Sequence, residues 1–313
     1  MMRFSRRRFL ANAGTATASA FVASAFLAEA WAAPSKRPAG IQLYMVSDAL
    51  TKDPSGTLTK LAAIGYGELE TAGFANLSAA EFRKLIDGAG LHCPSAHLSF
   101  VFEETGKLLQ EANELGVRYA VSSVLPPVAP SSKDLDVILK MLNALTLDDF
   151  KKIAHLANEI GQQAKQAGLQ YAYHNHNFEF RDLGNGHTGY SVLLQETDPN
   201  LVKFEADCGW MMTAGVNPAE FFRKYPGRYP MIHVKDFTPS SGTSTTLAIG
   251  TEQHATELGR GHIDYKPILA AAEAASVEHF FVEQDPPIVD MTPLEAAKVD
   301  YEYLHHCWTN EDI

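Results

Sequence analysis

The sequence predicts an α/β protein of the (β/α)8 (TIM) barrel class, folded as a single domain, and three observations predict it. Short strand-like runs alternate with amphipathic helical stretches along the chain, the pattern of a parallel sheet, and eight such runs can be counted. Glycine stands between a helical stretch and the next strand at Gly65, Gly90, Gly116 and Gly168, where a left-handed cap residue is wanted. The length left after an N-terminal targeting segment, about 280 residues, suits a barrel of roughly 250. A doubly wound open sheet, the rival fold, calls for a glycine-rich phosphate turn after its first strand; Ser47-Asp48-Ala49-Leu50 stands there instead.

Taken in order, the chain opens on Ser5-Arg6-Arg7-Arg8-Phe9-Leu10, followed by a weakly apolar Ala, Thr, Ser, Gly and Phe run to about residue 28. This predicts a twin-arginine signal peptide over residues 1–32, with Ala30-Trp31-Ala32 as the small-x-small cleavage pattern and the mature barrel spanning 33–313. A stable membrane anchor would need roughly 20 strongly apolar residues, and Asn12, Gly14 and several Thr and Ser interrupt this run. The twin-arginine machinery moves folded proteins, so the expected location is periplasmic or extracellular, with any cofactor loaded beforehand. Sugar phosphates are scarce there. The full chain carries −11, and since the segment before Ala33 holds Arg3, Arg6, Arg7 and Arg8 against Glu29, the mature part carries −14. Such a balance repels phosphate backbones and excludes nucleic acid as the expected partner. Cys93, Cys208 and Cys307 are odd in number and widely spaced, which indicates neither a disulfide framework nor a thiolate zinc motif.

The predicted strands are residues 41–46, 66–71, 92–98, 119–124, 169–175, 202–207, 231–235 and 279–284. Helical periodicity falls at 56–64, 79–90, 106–115, 148–168, 190–196, 218–225 and 265–275, with 292–307 closing the chain. In such a barrel the active site lies at the C-terminal strand ends. The fifth strand ends in His174-Asn175-His176-Asn177-Phe178-Glu179-Phe180, the sixth in Glu205-Ala206-Asp207-Cys208-Gly209-Trp210, the seventh in His233-Val234-Lys235-Asp236 and the eighth in Val282-Glu283-Gln284-Asp285. Burying these groups without a counter-charge would cost about several kcal/mol each. A divalent cation solves that problem, and carboxylate with imidazole suits Mn, Co, Zn or Mg. Lys235 shares a strand side with His233 and is expected to meet substrate, while His176 shares the face of His174 as a proton-transfer candidate. Glu70 and His97, ending the second and third strands, and Gln42 and Tyr44 on the first, are further substrate-binding candidates. Gly259-Arg260-Gly261-His262 reads as a turn and Asp285-Pro286-Pro287 as a stiff loop.

The runs Gln42-Leu43-Tyr44, Gly65-Tyr66-Gly67-Glu68-Leu69-Glu70, Tyr173-His174-Asn175-His176, Asp207-Cys208-Gly209-Trp210, His233-Val234-Lys235-Asp236 and Val282-Glu283-Gln284-Asp285 together resemble the sugar phosphate isomerase/epimerase family of xylose isomerase-like barrels, in its twin-arginine-exported branch. The resemblance runs from about residue 41 to the C-terminus and implies a metal held at the ends of strands five to eight, by Asp207, His233 and Glu283. For the fourth ligand Glu179 is taken, because a third carboxylate better neutralises a hard dication, with His174 as the alternative. Trp210 stands where many relatives place a substrate-binding His, and an indole there favours stacking on a sugar ring.

The activity so implied is metal-dependent isomerisation or epimerisation of an unphosphorylated sugar, by proton abstraction next to a carbonyl, with Glu179, Glu283, His174, His176 and Lys235 as the catalytic groups. Expulsion of a β-substituent instead gives a lyase or dehydratase, for instance on a 3-keto glycoside. A nuclease of the endonuclease IV type shares the barrel but needs a basic DNA-binding face. A non-catalytic exported sugar-binding protein is the other alternative.

Overall fold

Alternation along a buried strand sends successive side chains to opposite faces, and here it divides the chain between a barrel interior and an outer helical layer. The computed structural model describes residues 37–100, 103–239, 242–248 and 254–309; the predicted signal peptide lies outside the described residues. The eight barrel strands are β1 (Gly40–Gln42), β2 (Glu68–Ala72), β3 (His92–His97), β4 (Tyr119–Ser122), β5 (Gln170–His174), β6 (Val202–Asp207), β7 (Met231–Val234) and β8 (His279–Val282). All pair in parallel with their sequence neighbours, and β8 closes the ring on β1. Residues Pro38–Ile313 form one compact unit, as the single-domain expectation requires.

Outward-facing Phe204, Ala206, Ile232, Val234, Phe280 and Val282 join the core shared with the helices. Inside, Tyr119, Val121, Ala172, Met231 and Phe281 form a separate apolar plug. Gly40 leaves room for it, since a Cβ there would come within 2.5 Å of the Phe281 ring. Above the plug, the same inward alternation delivers Glu70, His97, His174, Glu205, Asp207 and His233 to the C-terminal mouth, all but His97 fully buried. The strand ends carry the polar load because the middle of the barrel is already filled.

The four glycines expected to cap helices all have positive φ, from 72° to 126°. Several elements depart from expectation. β1 stops at Gln42, whose side chain accepts a hydrogen bond from Tyr44 N (3.1 Å) and turns Leu43–Val46 into a 3-10 segment that runs into the helix Ser47–Lys52. Leu135–Asn143, capped by Asp134, and Cys208–Thr213, capped by Asp207, are additional helices. Asp236–Phe237 pairs antiparallel with Ala255–Thr256 in a small ribbon beyond β7. The three cysteines are unpaired.

The loop after that ribbon is tied down by two carboxylates. Asp236 accepts from the backbone N–H of Phe237, Gly259, Gly261, His262 and Ile263, at 2.9 to 3.2 Å. The expected turn at Gly259 to His262 thus wraps an acidic side chain. Asp300, on the closing helix Pro293–Thr309, accepts from Leu258 N at 2.7 Å. Burial pushes the Asp300 carboxyl up to about 8 from an ordinary 3.8. The folded chain therefore keeps a proton that the unfolded chain releases, and stability falls as pH rises from the unfolded value through the folded one. Asp300→Asn is neutral throughout, so its stability relative to wild type is expected to grow by about 1.4 kcal/mol per pH unit across that window. Urea unfolding of both proteins between pH 4 and 8 measures this, and a difference that does not change with pH refutes it.

Candidate metal centre and its pocket

Each group at the mouth is fixed by its own local structure. Asp207 ends β6 and caps the helix that follows: Oδ1 accepts from Trp210 N (2.8 Å), while buried Oδ2 has no hydrogen-bond partner among the described residues. Asn175 ties the ends of β5 and β6, accepting from Asp207 N (3.2 Å). Lys235 follows β7 and is clamped by Tyr265, whose hydroxyl accepts from Lys235 N (2.8 Å) and donates to Lys235 O (2.6 Å). Gly209 is needed for that approach, because a Cβ would lie 2.5 Å from Lys235 O. Glu283, just past β8, donates its N–H to Val234 O (3.2 Å).

These placements bring His174, Asp207, His233 and Glu283 together, one ligand atom from each lying within 4.8 Å of the others. His233 Nδ1 is 2.9 Å from Glu283 Oε2 and 4.0 Å from Asp207 Oδ2, and His174 Nε2 is 3.9 Å from Asp207 Oδ2. Lys235 Nζ reaches Glu283 Oε2 (2.7 Å), Asp285 Oδ2 (2.8 Å) and Asp207 Oδ2 (3.2 Å). Deeper in the barrel, Glu205 Oε2 meets His97 Nε2 (2.7 Å), His174 Nδ1 (2.9 Å) and His233 Nε2 (3.2 Å). Glu70 Oε1 meets His233 Nε2 (2.8 Å) and His97 Nε2 (3.1 Å) and accepts from Gln42 Nε2 (2.7 Å); Ser95 donates to its other oxygen.

The charges follow from this packing. Burial opposes every ionised group here, yet Asp207, Asp285 and Glu283 hold the Lys235 ammonium well above its ordinary pKa. Glu70 and Glu205 likewise outweigh burial and lift His97 to about 10. Burial pushes His174 well below its ordinary value and, with help from Lys235, takes His176 down to about 3. Burial also raises Asp207 to about 6, against the pull of Lys235 and His233. Buried imidazole and carboxylate, with Asp207 Oδ2 accepting no hydrogen bond among the described residues and facing only the Lys235 ion pair and the two rings, make a donor set that fits a divalent cation, in the class of Mn, Co, Zn or Mg.

A cavity of about 360 Å³ opens above this group, lined by Tyr44, His97, Ser99, Ser123, His174, His176, Lys235, Glu283 and Asp285 among others. Of the substrate-binding candidates, Tyr44 and His97 stand in its wall. Three others do not. Gln42 and Glu70 are wholly buried beneath it, bonded to each other. Trp210 lies on the first turn of the helix that Asp207 caps, packed against Phe237 (ring centroids 4.6 Å apart) and buried under Lys235, so it is not a sugar-stacking wall. Glu179 needs the plainest correction. The 3-10 turn Phe178–Phe180 folds it away from the cavity, where Tyr173 Oη and His176 N each donate to it at 3.0 Å, and burial pushes it up to about 8. His174 takes the place that Glu179 was expected to fill, which also removes Glu179 from reach of a substrate. Glu205 and Asp285 were not among the candidates. Alternation with Asp207 pointed to the first; the second was hidden by the prolines after it.

The family described as xylose isomerase-like TIM barrel matches residues 58–287. Among curated relatives, the inosose dehydratase of Clostridium botulinum strain Alaska E43 is 30% identical over 169 residues, 50% of this chain and 54% of the relative. That of Geobacillus kaustophilus is 23% identical over 294 residues, 83% of this chain and 90% of the relative. The chain thus spans about half the length of the first relatives it matches and nearly all of the second. Among solved structures, a sugar phosphate isomerase/epimerase from Parabacteroides distasonis superposes with a TM-score of 0.68 at 24% identity, covering 86% of this chain and 97% of the other.

Proposed function

Given that the chain belongs to the xylose isomerase-like TIM barrel family, we propose that it is a divalent-cation-dependent enzyme that takes the proton beside the carbonyl of an unphosphorylated, sugar-like polyhydroxy ketone and expels the β-hydroxyl as water. The observation that carries the reading is the convergence of His174, Asp207, His233 and Glu283 within 4.8 Å, with Asp207 Oδ2 ion-paired to Lys235 but accepting no hydrogen bond among the described residues, under a cavity at the small-ligand end of the usual range. Dehydration is favoured over isomerisation or epimerisation because the sequence relatives are named inosose dehydratases. The absence of phosphate follows from the wall: no arginine stands among the described lining residues, and Lys235 is engaged by three carboxylates.

A cation held by those four residues supplies Lewis-acid polarisation of the substrate carbonyl. The residues of the chain do the rest. His176 lines the cavity with its imidazole neutral, and accepts the proton from carbon. The C–H electron pair becomes a C=C bond as the β-hydroxyl leaves, protonated by the Lys235 ammonium, and water departs. Asp285 holds Lys235 in line for that transfer. The arginine pair and apolar run at residues 6–28 support export in the folded state with the cation aboard, to a periplasmic or extracellular destination.

The test uses chelated protein reloaded with Mn, Co, Zn or Mg and a panel of inososes, ketoses and 3-keto glycosides in D2O, followed by NMR. The expected result is cation-dependent loss of water from one of them. Deuterium uptake without loss of water would place the outcome with the isomerases and epimerases. Sugar held after chelation with no exchange and no turnover would make the protein a binder and refute the proposal.

A further inference from the structure

Two groups of metal-capable side chains sit one above the other at the mouth, sharing His174 and His233. The upper joins those imidazoles to Asp207 and Glu283, the lower joins them to His97 and Glu205. Each shared ring spans both groups, one nitrogen up and one down. His174 turns Nδ1 to Glu205 and Nε2 toward Asp207, and His233 turns Nε2 to Glu70 and Glu205 and Nδ1 toward Glu283. The lower nitrogens meet carboxylate oxygens, which only accept, so each of them bears a proton; His233 also bears one on Nδ1, 2.9 Å from Glu283 Oε2, and it is that upper proton which a cation would displace. A neutral imidazole with one nitrogen protonated offers its lone pair from the other.

We propose that Glu205 and Glu70 are positioning residues that fix the tautomers of His174 and His233, so that Nε2 of the first and Nδ1 of the second present lone pairs to a single cation in the upper group. The lower group is then a buried hydrogen-bond hub and not a second cation site. Three imidazole nitrogens converge on the one oxygen Glu205 Oε2 at 2.7 to 3.2 Å, and two of them also meet Glu70 Oε1 at 2.8 and 3.1 Å. These are hydrogen-bond separations. A cation in the lower group would have to break all of these contacts, whereas in the upper group only His233 Nδ1 and Glu283 Oε2 stand so close, at 2.9 Å, and the contacts of Asp207 Oδ2 with the two rings are 3.9 and 4.0 Å. Neither Glu205 nor Glu70 is exposed in the cavity, so neither touches substrate. The two shared rings adopt opposite tautomers because β5 presents the Nδ1 edge downward and β7 the Nε2 edge, and each finds a carboxylate below it.

This inference rests on the cation reading, and the experiment separates the two. The full chain, stripped with chelator, is titrated with zinc by calorimetry, and the histidine ring nitrogens of metal-free and zinc-loaded protein are assigned by 15N NMR. The expected results are one zinc per chain, His174 bound through Nε2 and His233 through Nδ1, with the opposite nitrogens protonated. Glu205→Gln, which keeps shape and size, is expected to weaken zinc binding 10- to 100-fold and to mix the His174 tautomers. Glu70→Gln is expected to do the same to His233. A wild-type chain that binds no zinc overturns the cation reading and this inference with it. One zinc bound as tightly in both variants, or coordination through the opposite nitrogens, overturns this inference alone. So does a second zinc in the wild type that is lost in Glu205→Gln.

Discussion

Glu283→Gln is expected to lower turnover about 10³-fold and to weaken cation binding sharply, with the fold kept. The substitution changes almost nothing in shape. It removes one negative charge from a group in which Glu283 Oε2 faces His233 Nδ1 at 2.9 Å and Lys235 Nζ at 2.7 Å, and it turns a potential donor toward the place where a dication would be held. Lewis-acid polarisation is worth several kcal/mol of transition-state stabilisation, and about 1.4 kcal/mol is tenfold in rate, which gives the magnitude. Structure should survive because Lys235 keeps Asp207 and Asp285 as partners and β8 pairs through its backbone. The measurements are turnover on the ketone found in the D2O screen, zinc or manganese titration by calorimetry, and thermal unfolding to show that the variant is folded. A folded variant with full turnover ends the site assignment.

What the sequence made legible, and what it hid, has a physical pattern. The strands were readable because both faces of a parallel sheet are buried, so each strand is an apolar run bounded by turn residues. Asp207, His233 and Glu283 were readable for the converse reason, as charges ending such runs. Glu179 was misplaced by arithmetic on charge: a third carboxylate neutralises a cation better than an imidazole, but the 3-10 turn at Phe178–Phe180 points it at Tyr173 and leaves the strand end to His174. Trp210 failed similarly. Asp207 starts a helix at once, and a residue on its first turn packs sideways onto Phe237 instead of rising into the cavity. Glu70 and Gln42 were found, but their depth depended on β1 ending after three residues. Glu205 illustrates the remaining gap. Its inward direction was implied by alternation with Asp207, but its meeting with imidazoles from β3, β5 and β7 depends on barrel closure, which no local pattern encodes.

Lys235→Met separates the roles of charge and chemistry at the same place. The Lys235 ammonium is buried among Asp207, Glu283 and Asp285, and removing one partner from a buried ionic group costs about 3–5 kcal/mol. The metal-free variant is therefore expected to unfold at a markedly lower temperature than metal-free wild type. A dication restores the missing positive charge, so the variant should bind it more tightly, by about tenfold or more, and should regain most of its lost stability as the cation is raised above its dissociation constant. Turnover does not return with stability. The protonated amine proposed to meet the leaving hydroxyl is gone, and loss of a positioned acid costs about 10²- to 10⁴-fold. Thermal unfolding across a manganese series, with turnover measured at saturation, reads both effects on one sample. If the metal-free variant is as stable as wild type and binds manganese no more tightly, Lys235 is not the counter-charge of this carboxylate group. If saturated variant turns over at the wild-type rate, it is not the acid.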